Sequence, residues 1–363
     1  MKVLYLLNSA AKGGIETYIG NLVRLLPAAG AQCYFAYSIP GMFSEKMEKA
    51  GIPMLRLSLE WKDAGKAAKT LARYCRDNGI EVIHAQCPRE NIIALLTLRY
   101  APELRVVFTD HFTRRVGPAW RMLYRHFTPK NHCVIAVCRE GIDVLTANGC
   151  APEKIKVIYN GIEPAAAPRH TDKLRRELGL SEDTFLLSIL ARFEPEKGLD
   201  FLVRSLVRLR EKTSRPFCCA IGGDGSLFEE IRAQAAAAGL EREIRLLGYR
   251  TDAPDILASS DLYVCSSAYN EALSFAILEA MNTGLPLVVT DVGGNRDLAE
   301  TLGVCGRVLQ YGDEEGFAGA ILEIMENDAL RSEFSAAALR KVSERFDLNK
   351  LAFDVYETYF PQP

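Results

Sequence analysis

The chain has 363 residues, of which 48% are apolar and 25% charged, a composition that excludes disordered and fibrous classes. This length exceeds what one ordinary hydrophobic core holds, so we predict two domains of middling size. The net charge of -2 conceals a basic first part, because residues 1–165 carry 22 Lys and Arg against 14 Asp and Glu. That excess indicates either an anionic partner or an uneven distribution of solvated charge.

The ten cysteines are scattered and form no C-x-x-C pair. Several lie in apolar runs of strand length such as HCVIAVC, so we expect buried free thiols in a reducing compartment and neither a disulfide framework nor a zinc site. The apolar run after Lys2 is too short for a signal peptide, and no run approaches the roughly 20 apolar residues of a membrane span. We therefore expect a cytoplasmic protein, at most peripheral on the inner face of the cell membrane.

Short apolar runs alternate with amphipathic helical stretches along the chain, a pattern typical of α/β proteins with a parallel, doubly wound sheet. The first series of predicted strands is KVLYLLN, CYFAYS, EVIHA, RVVFT, CVIAV and IKVIY, with a first helix at about 15–26. The second series is FLLSILA, CCAIGG, IRLLG, DLYVCS and PLVVTDV. A Pro- and Ala-rich stretch near 163–172 separates the two series.

We predict two Rossmann-like domains that face each other across a cleft. The first comprises residues 1–166 and the second residues 167–346, and a closing helix at about 347–363 returns to the first domain. We expect the domains to close on their ligand by a hinge near 163–169.

Ligands of doubly wound sheets bind at the carboxyl ends of the strands, where backbone amides and helix N-termini favour anions. Gly13 and Gly14 follow the first predicted strand and open the first helix. They either let the backbone approach a phosphate closely or serve simply as turn residues. His84 ends a buried strand and is expected to be a satisfied core histidine.

The loop ARFEPEKG follows the first strand of the second series and places Arg192 and Lys197 at one strand end. Two cations there could neutralise a diphosphate. The alternative is a solvated loop in which Glu194 and Glu196 are surface partners.

The segment YNEALSFAILEAM contains Glu271 and Glu279, eight positions apart, around a predicted helix that begins near Leu273 and is apolar on every side. Such a helix belongs in an interior, where an ionised carboxylate needs a partner. The helix N-terminus could bind a diphosphate, with Glu271 accepting from sugar hydroxyls and Glu279 from a ribose diol. Otherwise Glu271 only favours the helix dipole and Glu279 forms an internal salt bridge. Two carboxylates around an anion-binding helix end fit a nucleotide sugar better than a bare nucleotide.

These motifs together resemble the retaining glycosyltransferases of family 4, which have the GT-B fold. The matching segments span almost the whole chain: GGIE at 13–16, YNGI at 159–162, ARFEPEKG at 191–198, GGDG at 222–225, NEALSFAILEAM at 270–281 and TDVGG at 290–294. The chain departs from the family's frequent Glu-Gly-Phe-Gly at 271–274, where it reads Glu-Ala-Leu-Ser. The missing glycines leave less room for the donor sugar.

The resemblance implies that Arg192 and Lys197 hold the donor diphosphate, Glu271 the transferred sugar and Glu279 the nucleotide ribose. The other donor-binding candidates in both domains are Gly13, Asn160, Gly222, Tyr249, Arg250, Leu273, Ser274 and Phe275.

In the first domain, the resemblance implies that Gly14 and His111 reach the same donor. His111 lies in FTDHFT, after the strand RVVFT, and would line the reacting sugar. Without the resemblance, His111 fits equally well as a helix cap or as a partner of Asp110.

No D-x-D sequence occurs in the chain, so we expect no metal or other cofactor, and the two cations of the ARFEPEKG loop would offset the charge of the leaving group. In this family the acceptor is thought to attack from the face of the leaving group, and the departing phosphate takes the proton. We therefore name no nucleophile.

We predict transfer of a hexose or N-acetylhexosamine from a nucleotide diphosphate sugar, with UDP favoured by the family's habits, to a hydroxyl of a glycan or lipid-linked acceptor in cell-surface polysaccharide or glycolipid synthesis. One alternative is a nucleotide-sugar epimerase of the same fold, for which Asp110 and Glu90 are possible acid and base groups. Another is a non-catalytic nucleotide-sugar-binding protein. We expect no nucleic-acid partner.

The stretch HFTRRVGPAWRMLYRHFTPK places Trp120, Leu123, Tyr124 and Phe127 at helical spacing, with basic residues around them. These are Arg114, Arg115, Arg121 and Arg125. We predict that this basic segment meets an anionic acceptor or an anionic membrane surface. The alternative is an ordinary amphipathic helix whose apolar stripe packs on the core.

Overall fold

A computed structural model describes residues 1–11, 13–165, 169–301 and 303–360. The described chain forms two compact units. The first unit is Met1–Asn160 together with the C-terminal segment that begins at Leu348, and the second unit is Gly161–Asp347. The predicted domain boundary at 166 and 167 and the centre of the predicted hinge lie outside the described residues.

The first unit contains a seven-stranded parallel sheet with strand order β3-β2-β1-β4-β5-β6-β7. Its strands are β1 (Lys2–Ser9), β2 (Gln32–Ile39), β3 (Met54–Arg56), β4 (Val82–Ala85), β5 (Arg105–Asp110), β6 (Cys133–Ala136) and β7 (Ile155–Val157). Its helices up to this point in the chain are α1 (Gly14–Leu25), α2 (Met42–Lys49), α3 (Ala64–Asn78), α4 (Pro88–Thr97), α5 (Pro118–Phe127) and α6 (Glu140–Ala147).

The second unit contains a six-stranded parallel sheet with strand order β10-β9-β8-β11-β12-β13. Its strands are β8 (Phe185–Leu190), β9 (Phe217–Gly222), β10 (Ile244–Gly248), β11 (Leu262–Cys265), β12 (Leu287–Thr290) and β13 (Gly306–Leu309). Its helices are α7 (Lys173–Glu177), α8 (Leu199–Lys212), α9 (Phe228–Ala237), α10 (Ala253–Ser259), α11 (Phe275–Thr283), α12 (Asn295–Ala299), α13 (Glu314–Glu326) and α14 (Asp328–Arg345).

The central strands read as apolar runs because helices cover both faces of a parallel sheet. In the first unit, Leu4 pairs in register with Tyr34 and, on its other side, with Ile83. In the second unit, Leu187 pairs with Cys219 and with Leu262. Each sheet therefore lies at the centre of its own hydrophobic core. All ten cysteines are free thiols, and nine of them are buried.

Each sheet has one point where the strand order reverses. In the first unit this switch point lies between β1 and β4, and in the second unit between β8 and β11. At such a point the loops leave neighbouring strands in opposite directions and open a crevice at the carboxyl ends, which is where doubly wound sheets bind ligands.

The last helix, α15 (Leu348–Glu357), packs against α1 and so belongs to the first unit, as the sequence predicts. Just beyond it, the Tyr359 hydroxyl lies 2.7 Å from His84 Nδ1 and 3.2 Å from the Tyr5 hydroxyl. The Nε2 atom of His84 lies 2.7 Å from Thr109 Oγ1. Burial lowers the pKa of His84 to about 3, so its imidazole is neutral. His84 is thus a satisfied core histidine, as predicted.

The helices of the described chain do not reach the combination of length and apolarity that crossing a membrane requires.

Candidate active site

Lys197 and Glu271 meet at the switch point of the second sheet. Lys197 lies on the loop after β8, and Glu271 on the loop after β11. Lys197 Nζ donates a hydrogen bond to Glu271 Oε2 at 2.7 Å, and their side chains are only 20% and 11% exposed. The pair therefore joins the two sides of the crevice.

Ser267 is a third member of this cluster that the sequence analysis missed. Its hydroxyl is buried and donates to the same Glu271 oxygen at 2.7 Å. The backbone carbonyl of Ser267 accepts from Thr290 Oγ1 at 2.6 Å, and Asn295 Nδ2 donates to the carbonyl of Thr290 at 3.0 Å. Polar residues at two neighbouring strand ends thus hold the glutamate in place. The available sequence signal was a serine directly after a buried strand.

The charge on Lys197 is stabilised by its surroundings. Burial is the largest single influence on Lys197 and would lower its pKa, but the charge and the hydrogen bond of Glu271, together with the nearby Cys265, outweigh burial and raise that pKa. The ammonium is therefore protonated at neutral pH. A buried cation held by one carboxylate can exchange part of that contact for an anionic ligand without losing its countercharge.

Arg192 lies close enough to Lys197 for its charge to oppose protonation of that lysine. Its guanidinium is 69% exposed and donates to Glu196 Oε1 at 2.6 Å. Glu196 is one of the two surface partners expected for Arg192 and Lys197 if this loop is simply solvated. Exposed pairs contribute only about 0–1 kcal/mol, so an anionic ligand can displace Glu196 at little cost.

The two loops that carry these residues are in direct backbone contact. Gly198 has a φ of +57°, and a Cβ there would lie 2.3 Å from the carbonyl oxygen of Ser266. The Ser266 hydroxyl donates to the carbonyl of Lys197, and the Ala268 amide to the carbonyl of Glu196, each at 2.8 Å. Only glycine permits this approach, which fixes Lys197 opposite the loop of Glu271.

The residue before Glu271 has an unusual backbone. Asn270 has a φ of +56°, and it is the one non-glycine residue with positive φ in the described chain. Asparagine tolerates the left-handed region better than most residues. The turn at Asn270 directs the Glu271 side chain back toward the crevice, where it meets Lys197.

Helix α11 begins directly after this turn and offers an anion-binding end. Ser274 is the N-cap, and its hydroxyl accepts from the amide of Ile277 at 3.4 Å. The first amides of the helix, at Phe275 and Ala276, lack intrahelical acceptors, as in any α-helix. Together with the helix dipole they favour a phosphate beside Glu271. Leu273 is buried beneath this turn.

Glu279 lies on the exposed face of α11, so the expectation that this helix buries it is wrong. The buried positions are Ile277, Leu278, Ala280 and Met281, which lie on the other face. No hydrogen bond or ion pair from the described residues reaches the carboxylate of Glu279, which rules out the internal salt bridge. Desolvation raises the pKa of this carboxyl. The carboxylate is therefore available to a ligand.

The other second-unit candidates differ in environment. Tyr249 is exposed. Arg250 donates to both oxygens of Glu177, at 2.6 and 3.0 Å, and at 2.8 Å to both oxygens of Asp252. These bonds to Arg250 lower the pKa of Asp252 to about 2. The guanidinium of Arg250 therefore already has carboxylate partners, and its contact with the donor stays a prediction. Gly222 is buried at the end of β9 against Leu190.

A cavity of about 920 Å³ also lies in the second unit, between α8 and α9. Its lining is mostly apolar and does not include Arg192, Lys197, Glu271 or Glu279. We assign it no ligand.

The switch point of the first sheet also opens into a cavity, of about 450 Å³. The cavity is lined by Leu7, Asn8, Ser9, Ile15, Glu16, Trp61, Cys87, Pro88, Arg89, Glu90, Arg114 and Trp120. Glu90 is buried there and accepts from the Asn8 amide at 3.0 Å. Burial raises the pKa of Glu90.

His111 lies at the end of β5, where its Nε2 is 2.9 Å from Gln86 Oε1. Since the amide nitrogen of Gln86 donates to the carbonyl of His84, its oxygen faces His111, and Nε2 carries the hydrogen. Burial lowers the pKa of His111 to about 3, so the imidazole is neutral. Its partner is thus Gln86 and not Asp110, whose Oδ1 accepts from the Phe112 amide. A role for His111 at the reacting sugar stays a prediction.

Three further first-unit candidates occupy element ends. Gly13 is the exposed N-cap of α1, which begins at Gly14. Asn160 is buried at the last residue of the first unit before the chain leaves it.

The predicted basic segment forms α5 and the loop before it. Tyr124 is buried, and Trp120 and Phe127 are partly buried against the core. The apolar stripe therefore packs on the core, as expected for an ordinary amphipathic helix. The side chains of Arg114, Arg115, Arg121 and Arg125 are exposed, as is Met122. The solvent-facing side of this helix is therefore basic.

In the described ranges, no three His, Cys, Asp or Glu side chains are grouped so that they could hold a metal ion.

Two doubly wound sheets in one chain, with cations and a carboxylate beside a helix N-terminus in the second, define the GT-B class of glycosyltransferases. Two family profiles match: "Glycosyltransferase Family 4" over residues 12–166 and "Glycosyl transferases group 1" over residues 170–341. The chain belongs to glycosyltransferase family 4 and is a glycosyltransferase.

Several curated relatives are similar over most of the chain. The UDP-Gal:alpha-D-GlcNAc-diphosphoundecaprenol alpha-1,3-galactosyltransferase of Escherichia coli is 29% identical, over 81% of this chain and 79% of that protein. The N-acetyl-alpha-D-glucosaminyl L-malate synthase of Bacillus anthracis is 25% identical, over 81% and 77%.

Solved structures share the fold. Anabaena HepE in complex with UDP has a TM-score of 0.86 at 23% identity and covers 99% of both chains. A glycosyltransferase from Rickettsia africae also has a TM-score of 0.86, at 19% identity, over 99% of this chain and 97% of that one. These likenesses confirm the predicted fold class.

Proposed function

We propose that this chain is a retaining glycosyltransferase that moves a hexose or N-acetylhexosamine from a UDP-sugar to a hydroxyl of a glycan or lipid-linked acceptor in cell-surface polysaccharide or glycolipid synthesis. The observation that carries the proposal is the largely buried Lys197–Glu271 pair in front of α11. A nucleotide sugar suits this pair because it offers a diphosphate to the cation and neutral hydroxyls to the carboxylate.

The donor diphosphate binds Lys197, Arg192 and the first amides of α11. Among the described residues, Arg192 forms one ion pair, and that pair is exposed, so its guanidinium can move to a phosphate. Glu279 is exposed on the same helix, and its carboxylate accepts from the ribose diol. UDP is favoured because the name of the Escherichia coli relative specifies UDP-Gal and structures of Anabaena HepE hold UDP and UDP-glucose.

In the transfer step, the bond from the anomeric carbon to the phosphate oxygen breaks as the bond from that carbon to the acceptor oxygen forms on the same face. The acceptor's hydroxyl proton passes to the departing phosphate. Lys197 and Arg192 stabilise the negative charge that develops on the phosphate, which is the effect of preorganised cations in a buried site. Glu271, fixed by Ser267, holds the sugar hydroxyls while the anomeric carbon becomes positive.

The acceptor side is supported by the basic face of α5, where Arg115, Arg121 and Arg125 are exposed. A lipid-linked acceptor sits in a membrane, and basic residues attract anionic lipid by about 1 kcal/mol each. We therefore place the enzyme on an anionic membrane surface, at the inner face of the cell membrane, through this helix.

The test is incubation of the purified chain with UDP-glucose, UDP-galactose, UDP-N-acetylglucosamine, UDP-N-acetylgalactosamine and, as a base control, GDP-mannose. Thermal shifts identify the donor, because a ligand at 100 times its Kd adds about 2.7 kcal/mol of stability. UDP release with and without a short-chain GlcNAc-diphosphate lipid measures turnover, and NMR of the product gives its anomeric configuration. We expect UDP release that the acceptor accelerates and a product that retains the donor's anomeric configuration.

Two outcomes would favour the alternatives. Conversion of the donor's sugar into its epimer without an acceptor would indicate an epimerase, which needs an acid and a base. Stabilisation by a UDP-sugar with no UDP release under any condition would indicate a binding protein. The variant Lys197→Ala, compared with Lys173→Ala in a surface pair of the same unit, links the turnover to the crevice.

A further inference from the structure

Both tryptophans of the chain line the cavity at the switch point of the first sheet. The chain has two in total, and they are 59 positions apart in the sequence at Trp61 and Trp120. Their ring centroids lie 5.7 Å apart with the planes at 57°. Trp61 is exposed although it is large and apolar. Two indoles brought to one cavity from different elements indicate a surface built for a flat, partly apolar ligand.

The position of the cavity supports a ligand independently of its aromatic lining. It opens at the carboxyl ends of β1 and β4, where the strand order reverses. This is the place where doubly wound sheets bind their ligands. Its volume of about 450 Å³ lies within the usual range for ligand sites, which is about 300–1,000 Å³.

Polar atoms at the cavity lack partners. Asn8 Oδ1 and Arg89 Nε are buried, and no described residue forms a hydrogen bond with either atom. Buried polar atoms normally have hydrogen-bond partners. A ligand hydroxyl could supply a partner to both atoms, since a hydroxyl donates and accepts, if the two side chains shift toward it. Glu90 lies beside them and accepts one amide. A ligand with several hydroxyls fits this set better than an apolar one.

The charges at the cavity do not favour a simple anion site. The lining contains two cations, Arg89 and Arg114, and two acidic residues, Glu16 and Glu90. Each pyranose ring has an apolar face of C–H groups and an edge of hydroxyls. The C–H face packs on indole rings, and the hydroxyls donate hydrogen bonds to a carboxylate and an amide oxygen. This combination matches the lining more closely than a phosphate does.

We propose that this cavity binds the acceptor as a pyranose ring stacked on Trp61 and Trp120, with ring hydroxyls bonded to Glu90 and Asn8. The inference rests on the proposed function and adds the acceptor's chemical class, a pyranoside. It also makes the tryptophan pair a determinant of acceptor choice.

Tryptophan emission tests this directly, because both fluorophores of that type lie at the cavity. The full chain is titrated with methyl α- and β-pyranosides of glucose, galactose, N-acetylglucosamine and N-acetylgalactosamine. Mannitol serves as an open-chain polyol control, and inorganic diphosphate as an anion control. We expect a saturable change with at least one pyranoside and none with mannitol. A response to diphosphate alone, or to no pyranoside up to its solubility limit, would overturn the proposal.

Variants then assign the binding to the rings. Trp61→Ala removes an exposed side chain and is expected to weaken the strongest pyranoside at least tenfold, and Trp120→Phe severalfold. Glu90→Gln should weaken it less than Trp61→Ala does. Tyr100→Ala, at an exposed aromatic of the same unit outside the cavity, is the matched control and should bind as the parent does. Equal pyranoside affinity in Trp61→Ala and Tyr100→Ala would refute the aromatic site.

Donor hydrolysis separates this inference from the proposed function. If UDP release from the donor alone is normal in Trp61→Ala and transfer to the pyranoside falls at least tenfold, both stand. If transfer is unchanged in Trp61→Ala, the acceptor site is wrong and the transferase stands. If no UDP is released by the parent chain from any donor, the proposed function fails, whatever the pyranosides do to the emission.

Discussion

In the second unit, the crevice between β8 and β11 contains a buried Lys–Glu pair beside a helix N-terminus. In the first unit, the crevice between β1 and β4 contains two indole rings and a buried carboxyl group whose pKa is raised. The topology around the two crevices is the same, since each lies where the strand order of a parallel sheet reverses.

The difference between the crevices teaches that topology selects the place of a site and the loops select its ligand. In the second unit, fixed positive charge stands ready for an anion whose charge increases during reaction. In the first unit, indole rings and side chains of both charge signs line a cavity that suits a ligand with hydroxyl groups. Substitutions in each crevice test this contrast, and the largest effect is expected at Lys197.

Lys197→Ala removes the cation of the second crevice. We expect turnover to fall on the order of 10²–10³-fold, as when one preorganised stabilising group is lost from an active site. Because Glu271 is then left buried without its cation, the free energy of unfolding should also fall, by about 3–5 kcal/mol. Steady-state kinetics and chemical denaturation measure the two effects. Lys173→Ala should change neither quantity appreciably. Normal turnover in Lys197→Ala would contradict the proposal that this cation stabilises the departing phosphate.

Glu271→Gln and Glu279→Gln separate the sugar from the ribose. Glu271→Gln weakens a charged hydrogen-bond acceptor that acts as the glycosidic bond breaks. It should raise the activation free energy by about 1.5–3 kcal/mol, which lowers kcat roughly 10- to 150-fold. Glu279→Gln should mainly raise the donor KM, because ribose contacts are similar in the ground and transition states.

Free UDP is the control for this pair of variants. It contains ribose but no transferred sugar, so its affinity should fall with Glu279→Gln and barely respond to Glu271→Gln. Normal UDP affinity in the Glu279 variant would show that this exposed carboxylate has no ligand role.

The stability of the first unit should depend on pH, because burial has shifted the pKa values of titratable groups near its crevice. Burial raises the pKa of Asp110 from 3.8 to about 7, so the folded chain binds more protons than the unfolded chain between those values. The contribution of Asp110 to the free energy of unfolding therefore falls as pH rises through this window. Asp110→Asn removes that loss, and the slope of stability against pH should become more positive by up to about 1.4 kcal/mol per pH unit.

His111 should change the free energy of unfolding with pH in the opposite direction to Asp110. Burial lowers its pKa from 6.5 to about 3, so the unfolded chain binds the extra proton, and stability is lost as pH falls through that window. His111→Gln should flatten the acid side of the profile. Denaturation midpoints between pH 4 and 8 check both variants, and slopes that move in the same direction for the two would contradict the assignment.

Arg115, Arg121 and Arg125, on and before α5, test the smallest effect per residue. Changing all three to Ser should weaken binding to phosphatidylglycerol vesicles by about fivefold per arginine, near 1 kcal/mol each. Arg114 is left unchanged because it lines the cavity. Cosedimentation at low and high salt measures the binding. Two exposed arginines of the second unit, Arg208 and Arg232, changed to Ser, are the control, and salt-independent binding would count against the membrane face.

The sequence predicted most of the fold because buried parallel strands are continuous apolar runs. It missed β3 and β13, which have three and four residues and lie at sheet edges. Apart from the buried Gly306 and the exposed Arg56, their residues are only partly buried, so neither strand contains an apolar run long enough to predict a strand.

The candidate site was predictable where a motif carries it and not where it depends on contacts between loops. Lys197 and Glu271 were found on their own loops, but a serine in the second loop does not by itself indicate that Ser267 is the second donor to the Glu271 oxygen that Lys197 also contacts. Glu279 was misplaced because a nine-residue helix rich in apolar residues does not reveal which side the sheet covers. Trp61 was overlooked because its importance depends on Trp120, far along the chain.

The hydrogen bonds of Tyr359 have a consequence for how the chain folds as it is synthesised. Tyr5 and His84 find their partner 354 and 275 positions later, so the polar network inside the first unit stays open until Tyr359 has left the ribosome. The second unit, a contiguous segment, can complete its core before that moment. The first unit thus begins to fold first and finishes last, against the usual N-terminal-first order. A chain that ends before α15 would keep a complete second unit beside a first unit with a gap at its centre.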